Sequence, residues 1–401
     1  MLTEINRLNQ ERRRMPQDIE AIYNRYRSQV EEICLDIHAH PELAEEETHA
    51  CGIQEKLLQG WGFDVQSNYK DLPTAFNAQW GEGHPHVCFM SEYDALPEMG
   101  HGCGHNLIAG TALGAGIILK TLMEKEGLPG RVTVMGTPAE EKRGCKVDLI
   151  AAGALEDVDL VLMAHPSDEA TAQSRGSSGI MQFEVTFHGQ SAHAADCPEK
   201  GLNALDAVRL LFNGVDCWRQ QLPETCRVHG IVTQGGTAPN IIPKEASVDF
   251  YLRSFDMDYL EGMETRFRNM ARGAALMTDT REVVEMIPHT YKPTRPFKTL
   301  NQTFMELAES CGMAPQWLEP GRGSSDFGNV THEVPGAHVY FNVTRDNPEA
   351  VLHSKEFTQC AATSFALEQM AKTAQILARM GRRYLTNPDF RNQVGADFHD
   401  K

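Results

Sequence analysis

The chain has 401 residues, 41% of them hydrophobic, which exceeds the usual single-domain size and is ample for two packed cores. Its 37 basic and 55 acidic residues leave a formal net charge of −18, which disfavours nucleic acid and anionic membrane as partners because both are held by clustered Lys and Arg. No run of 18 apolar residues occurs and the ten cysteines form no Cys-x-x-Cys pair, so reduced thiols and a cytoplasmic location are expected.

The first thirty residues, rich in Glu, Arg, Gln and Ile with few breakers, predict a helix that carries Arg12-Arg13-Arg14 on one face. A second helix is expected over 45–60. Strand, helix, strand and strand follow at 87–90, 107–122, 132–135 and 160–164, the signature of an α/β fold with a mainly parallel sheet and helices on both faces. The small residues of Ser174-Arg175-Gly176-Ser177-Ser178-Gly179 suit a hinge. Beyond them, 180–187 alternates apolar and polar as a half-exposed antiparallel strand does. A helix at 202–211, strands at 226–233 and 246–253 and a helix at 257–277 complete a β-α-β-β-α-β order, which predicts an inserted ferredoxin-like α+β domain over 178–292. Residues 1–177 and 293–401 then form the larger domain, with helices at 299–311 and 364–380, the latter stopped by Gly381, and a strand at 339–343. The tail after Thr386 is expected to be poorly ordered.

Three strand ends carry residues able to hold a metal. After 87–90 comes His101-Gly102-Cys103-Gly104-His105, where glycines on both sides of Cys103 let the backbone aim a thiolate and an imidazole at one point. By itself this pair equally fits a buried cysteine beside a capping His. After 132–135, Pro138 and Gly144 bracket Glu140 and Glu141. On a regular strand the two side chains would point to opposite faces, so only a loop lets both reach one site, one to ligate and its neighbour to move a proton. A solvated charged turn is the commoner use of such a pair. The strand at 160–164 ends in His165-Pro166, at the carboxyl edge where open α/β sheets place their sites. His353, in Val351-Leu352-His353-Ser354, by itself fits a helix-capping or surface histidine better than a ligand.

In their order, these motifs resemble the aminoacylase/carboxypeptidase (M-twenty) metallopeptidase family, most closely its amidohydrolase branch. That branch includes hydrolases of p-aminobenzoyl-glutamate, N-acyl amino acids, indoleacetyl conjugates and β-alanyl dipeptides. The likeness runs from His38-Ala39-His40-Pro41-Glu42-Leu43 to His353-Ser354. It implies a zinc-exopeptidase-like catalytic domain with two divalent ions, Zn²⁺ or Mn²⁺, bound by Cys103, His105, Glu141, His165 and His353, with Glu140 as general base. It also implies that the inserted domain is a lid and dimerisation domain of a homodimer. There His193 reaches the active site of the partner subunit to stabilise the oxyanion, and Asn240 with Arg253 holds the substrate carboxylate. Where many relatives outside the branch have His-x-Asp, this chain has Glu92-Tyr93-Asp94; no ligand role is carried over there, and Asp94 suits a hydrogen bond to a ligand instead. The Gly321–Gly328 stretch, Gly-Arg-Gly-Ser-Ser-Asp-Phe-Gly, occupies the family's late substrate-loop position. The expected activity is metal-dependent hydrolysis of an N-acyl amino acid or dipeptide. The alternative is a non-catalytic metal- and ligand-binding protein of the same fold.

Overall fold

The computed structural model describes residues 2–345 and 347–400, with side chains from residue 18 onward. In chain order the elements are α1 (Leu2–Ala39), α2 (Thr48–Gly60), β1 (Asp64–Ser67), β2 (Phe76–Glu82), β3 (His86–Ser91), α3 (His105–Glu126), β4 (Gly130–Gly136), α4 (Cys145–Ala151), β5 (Leu160–Ser167), β6 (Gly179–His188), α5 (Ala204–Arg219), β7 (Arg227–Gln234), β8 (Glu245–Ser254), α6 (Met257–Thr278), β9 (Arg281–Tyr291), α7 (Lys298–Ser310), α8 (Phe327–Glu333), β10 (Gly336–Asn342), α9 (Lys355–Cys360), α10 (Ser364–Thr386) and α11 (Pro388–His399). They form two compact units. The first comprises the chain up to Arg175, Arg295–Pro320 and everything from Asn329; the second comprises Gly176–Thr294 and Gly321–Gly328.

The sheet of the first unit has the order β1-β2-β4-β3-β5-β10. Strands β4, β3, β5 and β10 are mutually parallel, and β2 and β1 extend one edge antiparallel. All six residues of β3 are buried, as a central parallel strand covered on both faces requires. Phe89, Val134, Leu162 and Phe341 pack there with Leu107, Leu113 and Ile117 of α3, each burial contributing about 1.5–3 kcal/mol. Helix α3 is long and apolar enough to cross a membrane, yet 94% of its most apolar stretch is buried, which makes it a core helix.

Three differences from the sequence reading have physical causes. Strands β1 and β2 carry no strong strand signal because β1 has only 4 residues, nearly all exposed, and β2 carries Asn, Gln, Gly and Glu at its half-buried and exposed positions. Gly381 does not end its helix: α10 continues to Thr386, and a Cβ at Gly381 would stand 2.9 Å from Leu119 Cδ2, so the glycine serves the close approach of α10 to α3. The tail is ordered as α11, with the Asn387 side chain accepting from Phe390 N, Pro388 in the first turn, and Phe390 and Val394 buried. The Arg12-Arg13-Arg14 run falls within α1, with its side chains outside the described residues.

The second unit is a four-stranded sheet of order β7-β8-β6-β9, antiparallel throughout, with α5 and α6 on one face. A β-α-β-β-α-β chain with this order is the ferredoxin-like arrangement. Alternation in β6 buries Phe183, Val185 and Phe187 against Leu211 and Phe267 while Glu184 faces solvent. The short return of Gly321–Gly328 to this unit has no signal in the sequence.

Candidate metal centre

Four loops at the carboxyl ends of the parallel strands converge in the first unit. Past β3, the Asp94 carboxylate accepts from His105 Nδ1 at 2.8 Å through Oδ1 and from the Glu141 backbone N at 2.9 Å through Oδ2. One buried side chain thus orients two candidate ligands, the hydrogen-bonding role expected of it, and leaves His105 Nε2 as the ring atom available to an ion. Between Cys103 and His105, Gly104 has φ +76° and a Cβ there would stand 2.6 Å from Pro166 Cγ, so only glycine lets this loop close onto the end of β5.

Past β4, Thr137 N donates to Ser91 O at 2.8 Å, and Ala139 adopts φ +57°. That left-handed residue is held by its N–H, donated to Glu47 Oε1 at 2.8 Å, and by its carbonyl, which accepts from Arg143 and Gly144. The turn it starts projects Glu140 and Glu141, the non-strand geometry their pairing demands. His165, near the end of β5, donates from Nδ1 to Pro166 O at 2.7 Å, so its Nε2 faces Cys103 Sγ at 3.3 Å. His353, with φ +65°, is anchored by its N–H to Gly102 O at 2.9 Å. Its Nε2 and His105 Nε2 each lie 3.8 Å from Glu141 Oε1.

The ligand atoms of Cys103, His105 and His165 lie within 4.8 Å of one another, as do those of Cys103, Glu141 and His353, and those of His105, Glu140 and Glu141. All five expected ligands and the expected base are therefore gathered. Cys103, His105 and Glu141 each belong to two of these overlapping groups, an arrangement that suits two adjacent ions. The donor set fits divalent cations on a further observation: His105 Nε2 and Glu141 Oε1 are buried with no hydrogen-bond partner among the described residues, a costly state that coordination relieves.

The model of peptidase family M20/M25/M40 matches residues 88–383. The chain belongs to that family. The Xaa-Arg dipeptidase of Mus musculus is 37% identical over 386 residues, covering 91% of this chain and 88% of that protein. A p-aminobenzoyl-glutamate hydrolase chain of Escherichia coli is 35% identical over 317 residues, 75% of this chain and 65% of that protein. The fold is shared with a dinuclear metal-binding peptidase of the M20 family from Bacillus subtilis, with a TM-score of 0.67 at 18% identity over 89% of this chain and 99% of that one. It is also shared with the aminobenzoyl-glutamate utilization protein of Klebsiella pneumoniae, with a TM-score of 0.69 at 19% identity over 89% and 98%. As a member of the M20 family this chain is a metal-dependent hydrolase of amide bonds.

The electrostatics of the family's centre here favour a cation. Burial and the neighbouring Glu141 push the Cys103 thiol up. Burial works against charge on His105, but Asp94 and Cys103 outweigh it and raise that imidazole. Burial and then His105 take His165 down to about 4, which keeps it neutral and ready to ligate. Since ligation needs thiolate and neutral imidazole, an ion competes with protons for these atoms, and acid weakens its binding.

Residues beyond the sequence reading also shape the centre. Glu92 lies buried 2.6 Å from the buried Lys146 ammonium. Burial would raise its carboxyl, but Lys146 and then His105 hold it at about 2. The His338 ring stands 5.6 Å from that of His165, and Tyr340, under the Arg175 guanidinium, 6.1 Å. Glu47 accepts from Thr74 Oγ1 as well as Ala139 N, and burial raises its carboxyl to about 7. Only Glu92 had a visible signal, its place just past a strand end. The others are joined to the site by tertiary packing alone.

The second unit holds the remaining candidates. His193 and Asn240 lie on two loops zipped together by a bridge between His193 and Ile241, with Ala194 N donating to Asn240 O at 3.0 Å. His193 Nδ1 accepts from the N–H groups of Ala195 and Asp196, at 3.3 and 3.1 Å, which leaves Nε2 as an outward N–H donor. Arg253 is on β8, where its Nη1 donates to Ser324 Oγ at 2.8 Å and its Nε to His229 Nε2 at 3.3 Å. The Gly321–Gly328 stretch is tied in by Ser178 Oγ, which donates to the carbonyls of Arg322 and Gly323. It thus sits beside Arg253.

Proposed function

We propose that this enzyme is a dipeptidase that uses Zn²⁺ or Mn²⁺ and acts on dipeptides or N-acyl amino acids whose released amino acid bears a free carboxylate, with Xaa-Arg dipeptides the first class to try. The observation that carries the reading is the gathering of Cys103, His105, Glu141, His165 and His353 beside Glu140 at one sheet edge. The similarity to an Xaa-Arg dipeptidase over nine-tenths of the chain supports the substrate class. The net charge of −18 also favours a cationic substrate over an anionic one.

The ligands would hold two divalent ions, which polarise the scissile carbonyl and make water a nucleophile near neutral pH. Glu140 takes the proton of the attacking water and later gives it to the leaving amine nitrogen. His193 donates from Nε2 to the developing oxyanion, while Asn240 and the Arg253 fork hold the substrate carboxylate. In this reading the inserted domain acts as a lid and pairs two copies into a homodimer. The ten free cysteines agree with a cytoplasmic site of action. Apo protein reloaded with Zn²⁺ or Mn²⁺ and assayed with ninhydrin on Xaa-Arg, β-alanyl and N-acyl amino acid substrates tests the whole reading. Release of free amino acid from the dipeptides is expected. Metal uptake without turnover on the entire panel would replace the enzyme with a binding protein.

A further inference from the structure

We propose that Glu92 is an additional ligand of the ion held by His105, with Lys146 clamping its second carboxylate oxygen; this rests on the two-ion reading above. Its Oε2 lies 3.4 Å from His105 Nε2, and both atoms are buried with no hydrogen-bond partner among the described residues. That separation lies beyond the usual N–H···O range of about 2.7–3.2 Å. His105 already donates from Nδ1 to Asp94, so in the neutral ring Nε2 is a lone pair facing an anionic oxygen. Such a pair of acceptors is satisfied by a cation between them. Two ligand atoms each about 2.1 Å from one ion at a tetrahedral angle stand about 3.4 Å apart.

Oxygen Oε1 has a different task. It accepts from Lys146 Nζ at 2.6 Å, and both side chains are fully buried. The ammonium fixes the rotamer and leaves only Oε2 for the centre. Sequence order agrees with this division, since Glu92 and Asp94 leave the end of β3 two residues apart, one carboxylate aimed at each nitrogen of the same imidazole. Without an ion, Oε2 would have only a protonated His105 ring to face, at a separation beyond the usual N–H···O range.

The test uses the full-length protein, stripped with a chelator and titrated with Zn²⁺ or Co²⁺. Bound metal is counted by plasma mass spectrometry after desalting, and the visible spectrum of the Co²⁺ form reports coordination. Wild type should keep two ions. Glu92→Gln is expected to lose one on desalting, to bind it at least 100-fold more weakly, and to change its Co²⁺ band intensities, whereas the spectrum of the remaining ion stays as in wild type. The double variant Glu92→Leu/Lys146→Met removes both buried charges together, guards against misfolding of the single variant, and should show the same loss. Two retained ions with affinities within threefold of wild type in either folded variant overturns the proposal. A wild type that binds no ion overturns the two-ion reading instead.

Discussion

In the first unit Cys103 and His105 are buried, Glu141 is 15% exposed and only His353 is half exposed, and hydrogen bonds donated to Asp94 and Pro166 fix which ring atom His105 and His165 present. In the second, His193 and Asn240 are exposed on glycine- and alanine-rich loops bridged to each other, and Arg253 rests on a serine of a neighbouring loop. The contrast follows from the two tasks. Holding ions demands desolvated donors set before the ion arrives, because a buried site cannot reorganise cheaply. Meeting a substrate demands groups that stay accessible and adjust as it enters. Changes in the first unit should therefore show up in metal content or chemistry, and changes in the second in turnover and KM with metal content intact.

Glu140→Gln gives the largest expected effect and sharpens the contrast inside the first unit. Removing a general base costs about 10²–10⁴-fold in kcat, and Gln fills the same space, so two ions should still be counted by mass spectrometry. Wild-type turnover in the metal-loaded variant would remove Glu140 from the mechanism. Next come Cys103→Ser and His353→Ala, for which metal per chain should fall below the wild-type value. Unchanged stoichiometry in both would dissolve the ligand assignment.

A direct attempt to break the contrast uses the second unit. His193→Ala should lower kcat by about 10²–10³-fold, the usual cost of an oxyanion donor, and Arg253→Ala should act mainly on KM. Both should bind metal as wild type does. A loss of metal in either would show that the units do not divide the work in this way.

The smallest effect concerns Glu47, whose carboxyl supports the left-handed Ala139 ahead of Glu140. In the folded protein it stays protonated up to about 7, against 4.5 in an ordinary environment. The folded state therefore binds the extra proton, and the resulting stability is complete below pH 4.5 and lost as pH rises through 7, by about 3 kcal/mol. Glu47→Gln should flatten that part of the profile, so that the Tm difference between pH 5 and pH 8 narrows relative to wild type in differential scanning fluorimetry. An unaltered difference would assign the pH dependence to other groups.

The sequence by itself determined the α/β alternation, the order β-α-β-β-α-β of the inserted unit, and the identity of the residues that gather at the metal centre. The alternation was legible because apolar periodicity is local, so that a run such as Val87-Cys88-Phe89-Met90 has to be buried; the ligands, ambiguous one by one, were legible through the order of motifs that resembles the family. Only the tertiary structure decided that Glu92, Lys146 and Glu47 belong to the centre, that Gly381 lies within a helix, and that Gly321–Gly328 sits beside Arg253. Each of those depends on what a distant segment places opposite the residue: Lys146 is 54 positions from Glu92, and Ala139 is 92 from Glu47. Periodicity reports which face of an element is buried; what that face meets is fixed by the packing of chain segments far apart in sequence.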